Sequence, residues 1–136
     1  MMARYMLDTN ICIYLMKNQP AAVARRFAQC YVGDVVISAI TLAELEYGAL
    51  ASANKTKQKR ASSDLVKLIP VEPFGVKAAL VYGPIRQATS ERKRDQLDKL
   101  IASHARSLGL VLVTNNMKDF AAYPGVKLEN WLDQPV

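Results

Sequence analysis

Histidine and cysteine are almost missing from this chain, which has a single His104 and only Cys12 and Cys30. The two cysteines form no C-x-x-C pair, and one histidine cannot build a His-based zinc site, so structural zinc is not expected. Nothing suggests a disulfide scaffold, and a reducing cytoplasm is the simplest compartment. No apolar run approaches the ~20 residues that a membrane helix needs. Arg4, Asp8 and Asn10 interrupt any leader-like apolar segment near the start. Internal repeats and low-complexity tails are also missing. Acid is the scarcer charge, with 12 Asp and Glu against 18 Lys and Arg, for a net +6. A basic surplus favours a polyanionic partner such as nucleic acid or an acidic protein segment, although charge bears on association and not on fold.

What is present suits a single domain spanning 1–136, since 136 residues at 51% hydrophobic can bury a core. Ala3 to Leu7 reads as an apolar strand that stops on Asp8. Ile11 to Met16 is predicted as a short helix capped by Asp8 or Thr9. Pro20 suits the first turn of a second helix, where Val23, Phe27 and Cys30 keep helical spacing. Val35 to Ser38 is a buried, β-branched strand. Ile40 to Leu50 predicts a helix with Leu42, Leu45, Glu46 and Ala49 on one face and Glu44 in its first turn. Lys55, Lys57, Lys59 and Arg60 read as a solvated helix face. A strand around Ile69 to Val71 follows, then a helix marked by Val76, Leu80 and Gly83 that Pro84 should kink or end. Leu97 to Leu108 gives the clearest helical stripe (Leu97, Leu100, Ile101, His104, Ala105, Leu108), closed by Gly109. Leu110 to Val113 is a strand, Lys118 to Phe120 a short turn of helix, and Val126 to Leu128 an edge strand. The order β-αα-β-αα-β-αα-β-β predicts an α/β fold with a mainly parallel central sheet of four to five strands and helices on both faces.

An aspartate after a strand is usually a turn or cap residue. Asp8 rises above that reading because other acids occupy comparable positions. Glu44 and Asp98 each lie near the start of a helix, and Asp119 follows the fourth strand with the amide of Asn116 beside it. Such places converge at the carboxyl edge of a doubly wound sheet. Two unit charges ~4 Å apart repel by about 4 kcal/mol at an effective dielectric of 20, and a divalent cation reverses that sign. Oxygen-only ligands select a hard ion, Mg²⁺ or Mn²⁺, which activates water for attack at phosphorus. Thr9 and Thr114 follow strands and suit either capping or the orientation of a carboxylate or water. Arg86, Arg92, Lys93, Arg94 and Lys99 are the candidates for holding a phosphate backbone. His104 lies about 240° around its helix from Asp98 and reads as a core or interface residue. Trp131 and Tyr47 read as packing residues.

Several segments together resemble the PIN-domain proteins of the VapC toxin type. They are Met6-Leu7-Asp8-Thr9-Asn10-Ile11, Ile37-Ser38 through Thr41-Leu42-Ala43-Glu44-Leu45, and Leu97-Asp98-Lys99-Leu100-Ile101-Ala102-Ser103-His104-Ala105. Leu112-Val113-Thr114-Asn115-Asn116 with Asp119-Phe120, and Glu129-Asn130-Trp131, complete the set. The resemblance covers nearly the whole chain. It implies a three-layer α/β/α PIN fold, usually a homodimer. It implies an Mg²⁺-dependent endoribonuclease (Mn²⁺ as a substitute) that inhibits translation, often by cutting structured RNA such as tRNA. It implies a VapB-type antitoxin partner, through which alone the pair reaches operator DNA. Asp8, Glu44 and Asp98 match the family's acidic triad, as catalytic residues and metal ligands, with Thr9 and Asn10 in support of the first. The fourth acidic position falls at Asn116, for which Asp119 can substitute. Where many relatives carry a Gly/Pro-rich loop before the third acid, this chain has Glu91-Arg92-Lys93-Arg94-Asp95-Gln96.

Two other readings compete. A non-catalytic RNA-binding domain would retain RNA without cutting it, but a relict pocket is expected to have lost acids. A phospho-accepting receiver-like switch wants paired acids after the first strand and a Lys after a late one. Asp8 stands alone, and Asn follows Thr114.

Overall fold

The computed structural model describes residues 3–132, so the outermost positions of the expected 1–136 span lie outside the described residues. Three short apolar runs make the centre of the sheet: β1 (Tyr5–Leu7), β2 (Val35–Ser38) and β4 (Val111–Val113). β3 (Val71–Glu72) and β5 (Lys127–Glu129) are its edges. The five strands run in the order β3-β2-β1-β4-β5, and every pairing is parallel. Leu7 stands level with Ile37 on one side and with Val113 on the other. Alternation along the strands splits the core into two layers. Tyr5, Leu7, Val35, Ile37 and Val113 pack under α1 (Thr9–Lys17), α2 (Ala21–Ala28) and α4 (Lys55–Leu68). Met6, Val36 and Leu112 pack against α5 (Val76–Ala88), α6 (Gln96–Ser107) and the residues around α7 (Met117–Phe120). This is the expected three-layer α/β/α arrangement, with α3 (Ala39–Ala51) leaving directly from the end of β2.

Helix positions follow the sequence patterns, but three helix faces differ from the expected ones. In α3 the buried side is Thr41, Leu45 and Ala49, while Glu46 and Tyr47 are exposed. In α5 the buried residues are Ala78 and Ile85, whereas Val76 is 77% and Leu80 72% exposed. Pro84 neither ends α5 nor interrupts it, because it and Leu80, whose carbonyl would have accepted the missing N–H, both face water. In α6, Lys99 and Ile101 to Ala105 are buried, and Leu97 and Leu108 are turned outward. Pro20 stands one residue before its helix, at the cap of α2. The basic run of α4 is solvated as expected.

Trp131 is fully buried, edge-on to Tyr5 at 5.5 Å between ring centroids, and Arg26 lies 5.1 Å over the Trp131 ring. His104 is also in the core, its Nδ1 2.8 Å from the Ser38 hydroxyl and its ring edge-on to Phe74.

Burial holds the His104 pKa below the ordinary histidine value, against smaller opposing effects of Glu72 and the Pro73 backbone. The unfolded chain takes up this proton near 6.5, and the folded chain only at lower pH. The unfolded state therefore binds more protons in that window, and the contribution of His104 to stability is lost as pH falls through it. The urea midpoint, followed from about pH 7.5 to about pH 5.5, should drop less steeply in His104→Gln than in the wild type. Parallel slopes would show that the buried imidazole does not govern this range.

Candidate functional site

The strand order reverses between β1 and β4, so a crevice opens outside the carboxyl ends of these two strands. Asp8 follows β1 at that point. Its backbone N–H donates to the Val113 carbonyl at 3.0 Å, and its carboxylate accepts the Ile11 N–H at 3.0 Å, capping α1. Only 4% of Asp8 is exposed. This burial raises its pKa, against hydrogen bonds from the Thr114 hydroxyl and the Ile11 N–H, and the nearby Glu44 raises it further. The backbone N–H of Asn10 also supports the carboxylate, while the Asn10 side chain is exposed.

Glu44 reaches the same crevice from α3. Ser38, the last residue of β2, accepts the Ile40 N–H at 3.0 Å and starts the helix at Ala39. Glu44 therefore sits in the second turn, not the first as the sequence suggested. Thr9 fixes it there: its hydroxyl donates to Glu44 Oε1 at 2.7 Å and lies 3.4 Å from the Thr41 hydroxyl. Thr9 thus joins the start of α1 to α3, and Thr41, one helical turn before Glu44 in the segment that carries the resemblance, supports it.

Asp98 is in the first turn of α6. Its pKa is pushed up to about 6, first by burial and then by Asp8, Glu44, Asp95 and Asp119. The three acids that the sequence singled out are thus brought within electrostatic reach of one another. Asp119 is exposed on the rim, where Asn116 Nδ2 donates to Asp119 Oδ2 at 3.0 Å; the Asn116 backbone N–H donates to Thr114 Oγ1 at 3.0 Å. An open cleft of about 520 Å³ is lined by Glu91, Arg92, Lys93, Arg94, Asp95, Asp98 and Asp119.

Among the described residues, no three acids already close around a single point. A small hard cation does not require that, because it keeps several waters and takes one or two carboxylates directly. The donors are oxygen only, and Asp98, raised first by burial, is raised further by the charges of Asp8, Glu44, Asp95 and Asp119. Both observations fit a divalent hard cation.

The cationic candidates divide. Lys93 and Arg94 are exposed on the cleft. Arg86 is exposed in the last turn of α5, 6.0 Å from the Tyr82 ring. Arg92 is half-buried, with Nη1 donating to the Asp119 carbonyl at 2.8 Å. Lys99 must be removed from the phosphate contacts. It is 0% exposed, and its ammonium lies 3.0 Å from Asp95 Oδ1 while donating to the Thr89 and Arg92 carbonyls. Asp95 precedes α6 without capping it and accepts the Tyr123 hydroxyl at 2.6 Å. The opposite charges of Asp95 and Lys99 at i and i+4 were the available signal for this pair.

Residues 5–126 match the PIN domain family. The chain is 40% identical over 132 residues to the tRNA(fMet)-specific endonuclease VapC of Shigella flexneri, covering 96% of this chain and 99% of that protein. In three dimensions it is similar to the DNA-bound VapBC of Salmonella typhimurium, with a TM-score of 0.87, 37% identity, and 96% of this chain and 99% of the matched chain covered. VapBC2 from Rickettsia felis, bound to a DNA fragment from their promoter, gives a TM-score of 0.83 at 34% identity, covering 93% of this chain and 98% of the matched one.

The raised Asp98 pKa means that the metal-free folded state binds more protons than the unfolded chain between about pH 4 and about pH 6. Its stability therefore falls as pH rises through that window. At neutral pH, metal-free Asp98→Asn should melt above the wild type by roughly 1 kcal/mol after allowance for solvent screening, or about 3–5 °C. Mn²⁺ should raise the melting temperature of the wild type but not of the variant. A variant that melts lower without metal and gains as much from Mn²⁺ would contradict the electrostatic account.

Proposed function

This chain belongs to the PIN-domain family, in its VapC branch, and we propose that it works as a metal-dependent endoribonuclease toxin of a toxin–antitoxin pair. One observation carries this reading: Asp8 at the cap of α1, Glu44 on α3 and Asp98 on α6 lie within electrostatic reach of one another, and burial first and repulsion second lift the Asp98 pKa to about 6. The substrate class is structured RNA, with tRNA first, given what the Shigella relative is named for.

Asp8, Glu44 and Asp98 would hold Mg²⁺, with Mn²⁺ as a substitute and Asp119 as a further ligand from the rim. When bound, that ion acidifies a water and stabilises charge on the phosphate under attack. The protein does the rest. The Ile11 N–H and the Thr114 hydroxyl fix Asp8. Thr9 fixes Glu44. One of the carboxylates orients the attacking water and accepts its proton. Lys93 and Arg94, and Arg86 farther along the chain, hold the phosphate backbone on either side of the cut. Asn116 keeps Asp119 turned to the rim through its amide.

A VapB-type antitoxin is the partner, and operator DNA is reached only through it, in line with the DNA-bound complexes that this fold matches. Two copies pair as a homodimer, a reading supported by the exposed apolar side chains Tyr47 and Leu50 on α3 and Val76 and Leu80 on α5. No helix among the described residues is long and apolar enough to cross a membrane. Action on tRNA places the protein in the cytoplasm.

Purified protein incubated with a tRNA transcript and Mg²⁺ should produce discrete fragments and lose that activity with a chelator. Asp8→Asn, Glu44→Gln and Asp98→Asn should each reduce cleavage by about 10²-fold or more while RNA is still retained. Thr9→Val should cost about 10-fold, because Glu44 loses its tether. Retention of RNA by the wild type without cleavage in either metal would instead identify a non-catalytic binding domain.

A further inference from the structure

Lys99 is a fully buried cation in a protein whose other charges mostly face water. Its ammonium meets three oxygens: Asp95 Oδ1 at 3.0 Å, the Thr89 carbonyl at 3.1 Å and the Arg92 carbonyl at 3.0 Å. All three belong to the segment 89–95, between α5 and α6. The ends of that segment are anchored in turn. The Thr89 hydroxyl donates to the Ile85 carbonyl at 2.9 Å, and the Thr89 carbonyl also accepts the Arg92 N–H at 3.0 Å. The second carboxylate oxygen of Asp95 accepts the Tyr123 hydroxyl at 2.6 Å, and Arg92 Nη1 donates to the Asp119 carbonyl at 2.8 Å. Segment 89–95 contains no large apolar side chain that could anchor it in the core. A buried ammonium beneath it supplies the fixed points instead. The same segment carries Lys93 and Arg94, which are exposed on the cleft that Asp98 and Asp119 line.

We propose that Lys99 is a positioning residue: with Asp95 and Tyr123 it braces segment 89–95 so that Lys93 and Arg94 meet the RNA backbone at the acidic cleft. This rests on the ribonuclease reading given above. A braced segment loses little freedom when RNA binds, so loosening it weakens RNA affinity and leaves the acids in place.

Steady-state cleavage of a labelled tRNA transcript by the full chain in Mn²⁺ tests this. The variant is Lys99→Met with Asp95→Asn, which removes the ammonium without stranding a buried carboxylate. Lys93→Ala with Arg94→Ala is the reference. The Lys99 pair should raise KM about tenfold and keep kcat within about threefold, with the salt dependence of log KM reduced by about one to two in slope, as in the reference. Wild-type KM and salt slope would overturn the proposal. So would a fall in kcat at unchanged KM together with a lower melting temperature, which is what a merely structural residue gives. If the pair does not fold, Tyr123→Phe takes its place, since it deletes one hydrogen bond and no charge. Its KM should rise about threefold, and an unchanged KM would overturn the proposal. A wild type that cleaves nothing is a separate failure, which removes the ribonuclease reading; filter retention of the same transcript by the same variants then decides the role of Lys99.

Discussion

A carboxylate withdrawn from water has to be compensated, and at Asp8 that requirement shapes the crevice. Part of the compensation is backbone: the first turn of α1 turns its free N–H groups toward the charge, and the helix begins at Thr9 because of it. Part is the hydroxyl of Thr114, placed there by the pairing of β4 with β1. Asp98 is raised first by its own burial, and the charges of Asp8 and Glu44 then add to that shift. Without the parallel pairing of β1 with β4, Asp8 would have no Thr114 hydroxyl beside it, so the strand order and the setting of Asp8 are one arrangement.

The cations follow a different logic. Despite a net charge of +6, none of the surplus directly neutralises Asp8 or Glu44 among the described residues. Arg26 is used on Tyr5, Glu129 and Trp131, where it binds α2 to β1, to the end of β5 and to a residue beyond it. Lys99 and Arg92 are used on segment 89–95. Lys93 and Arg94 remain free at the cleft, and Lys55, Lys57, Lys59 and Arg60 on α4. The acids thus keep their need for a counter-charge, while the surface around the cleft keeps an attraction for phosphate.

Much of this was legible in the chain itself, for physical reasons that differ by element. Val35 to Ser38 is β-branched and bounded by turn residues, and it forms β2 with those boundaries. Asp8, Glu44 and Asp98 could be grouped because strand ends and helix starts converge in a doubly wound sheet. Helix faces were harder. α5 is apolar almost all round, so Val76 and Leu80 looked no less inward than Ala78 and Ile85, and periodicity cannot choose between two apolar sides. In α6, Leu97 and Leu108 completed a persuasive stripe, yet the helix is rolled to place Lys99 under the preceding loop. A lysine beside Arg92, Lys93 and Arg94 reads as solvated, because burial of a cation becomes visible only when its carboxylate and carbonyl partners are placed around it.

The acids are seated on elements of regular structure: one on a helix cap, two on helices whose starts are set by the sheet and by segment 89–95. The basic side chains at the cleft, by contrast, stand on a loop that touches the scaffold through a few polar struts. On the proposed assignment, chemistry and recognition therefore sit on parts of the fold with unequal tolerance to mutation. A lineage built on this plan can exchange Lys93 and Arg94, the exposed side chains of that turn, and so change which nucleic acid it accepts without disturbing Asp8, Glu44 or Asp98. Diversification of targets is open to this architecture at small cost, and diversification of the reaction is not.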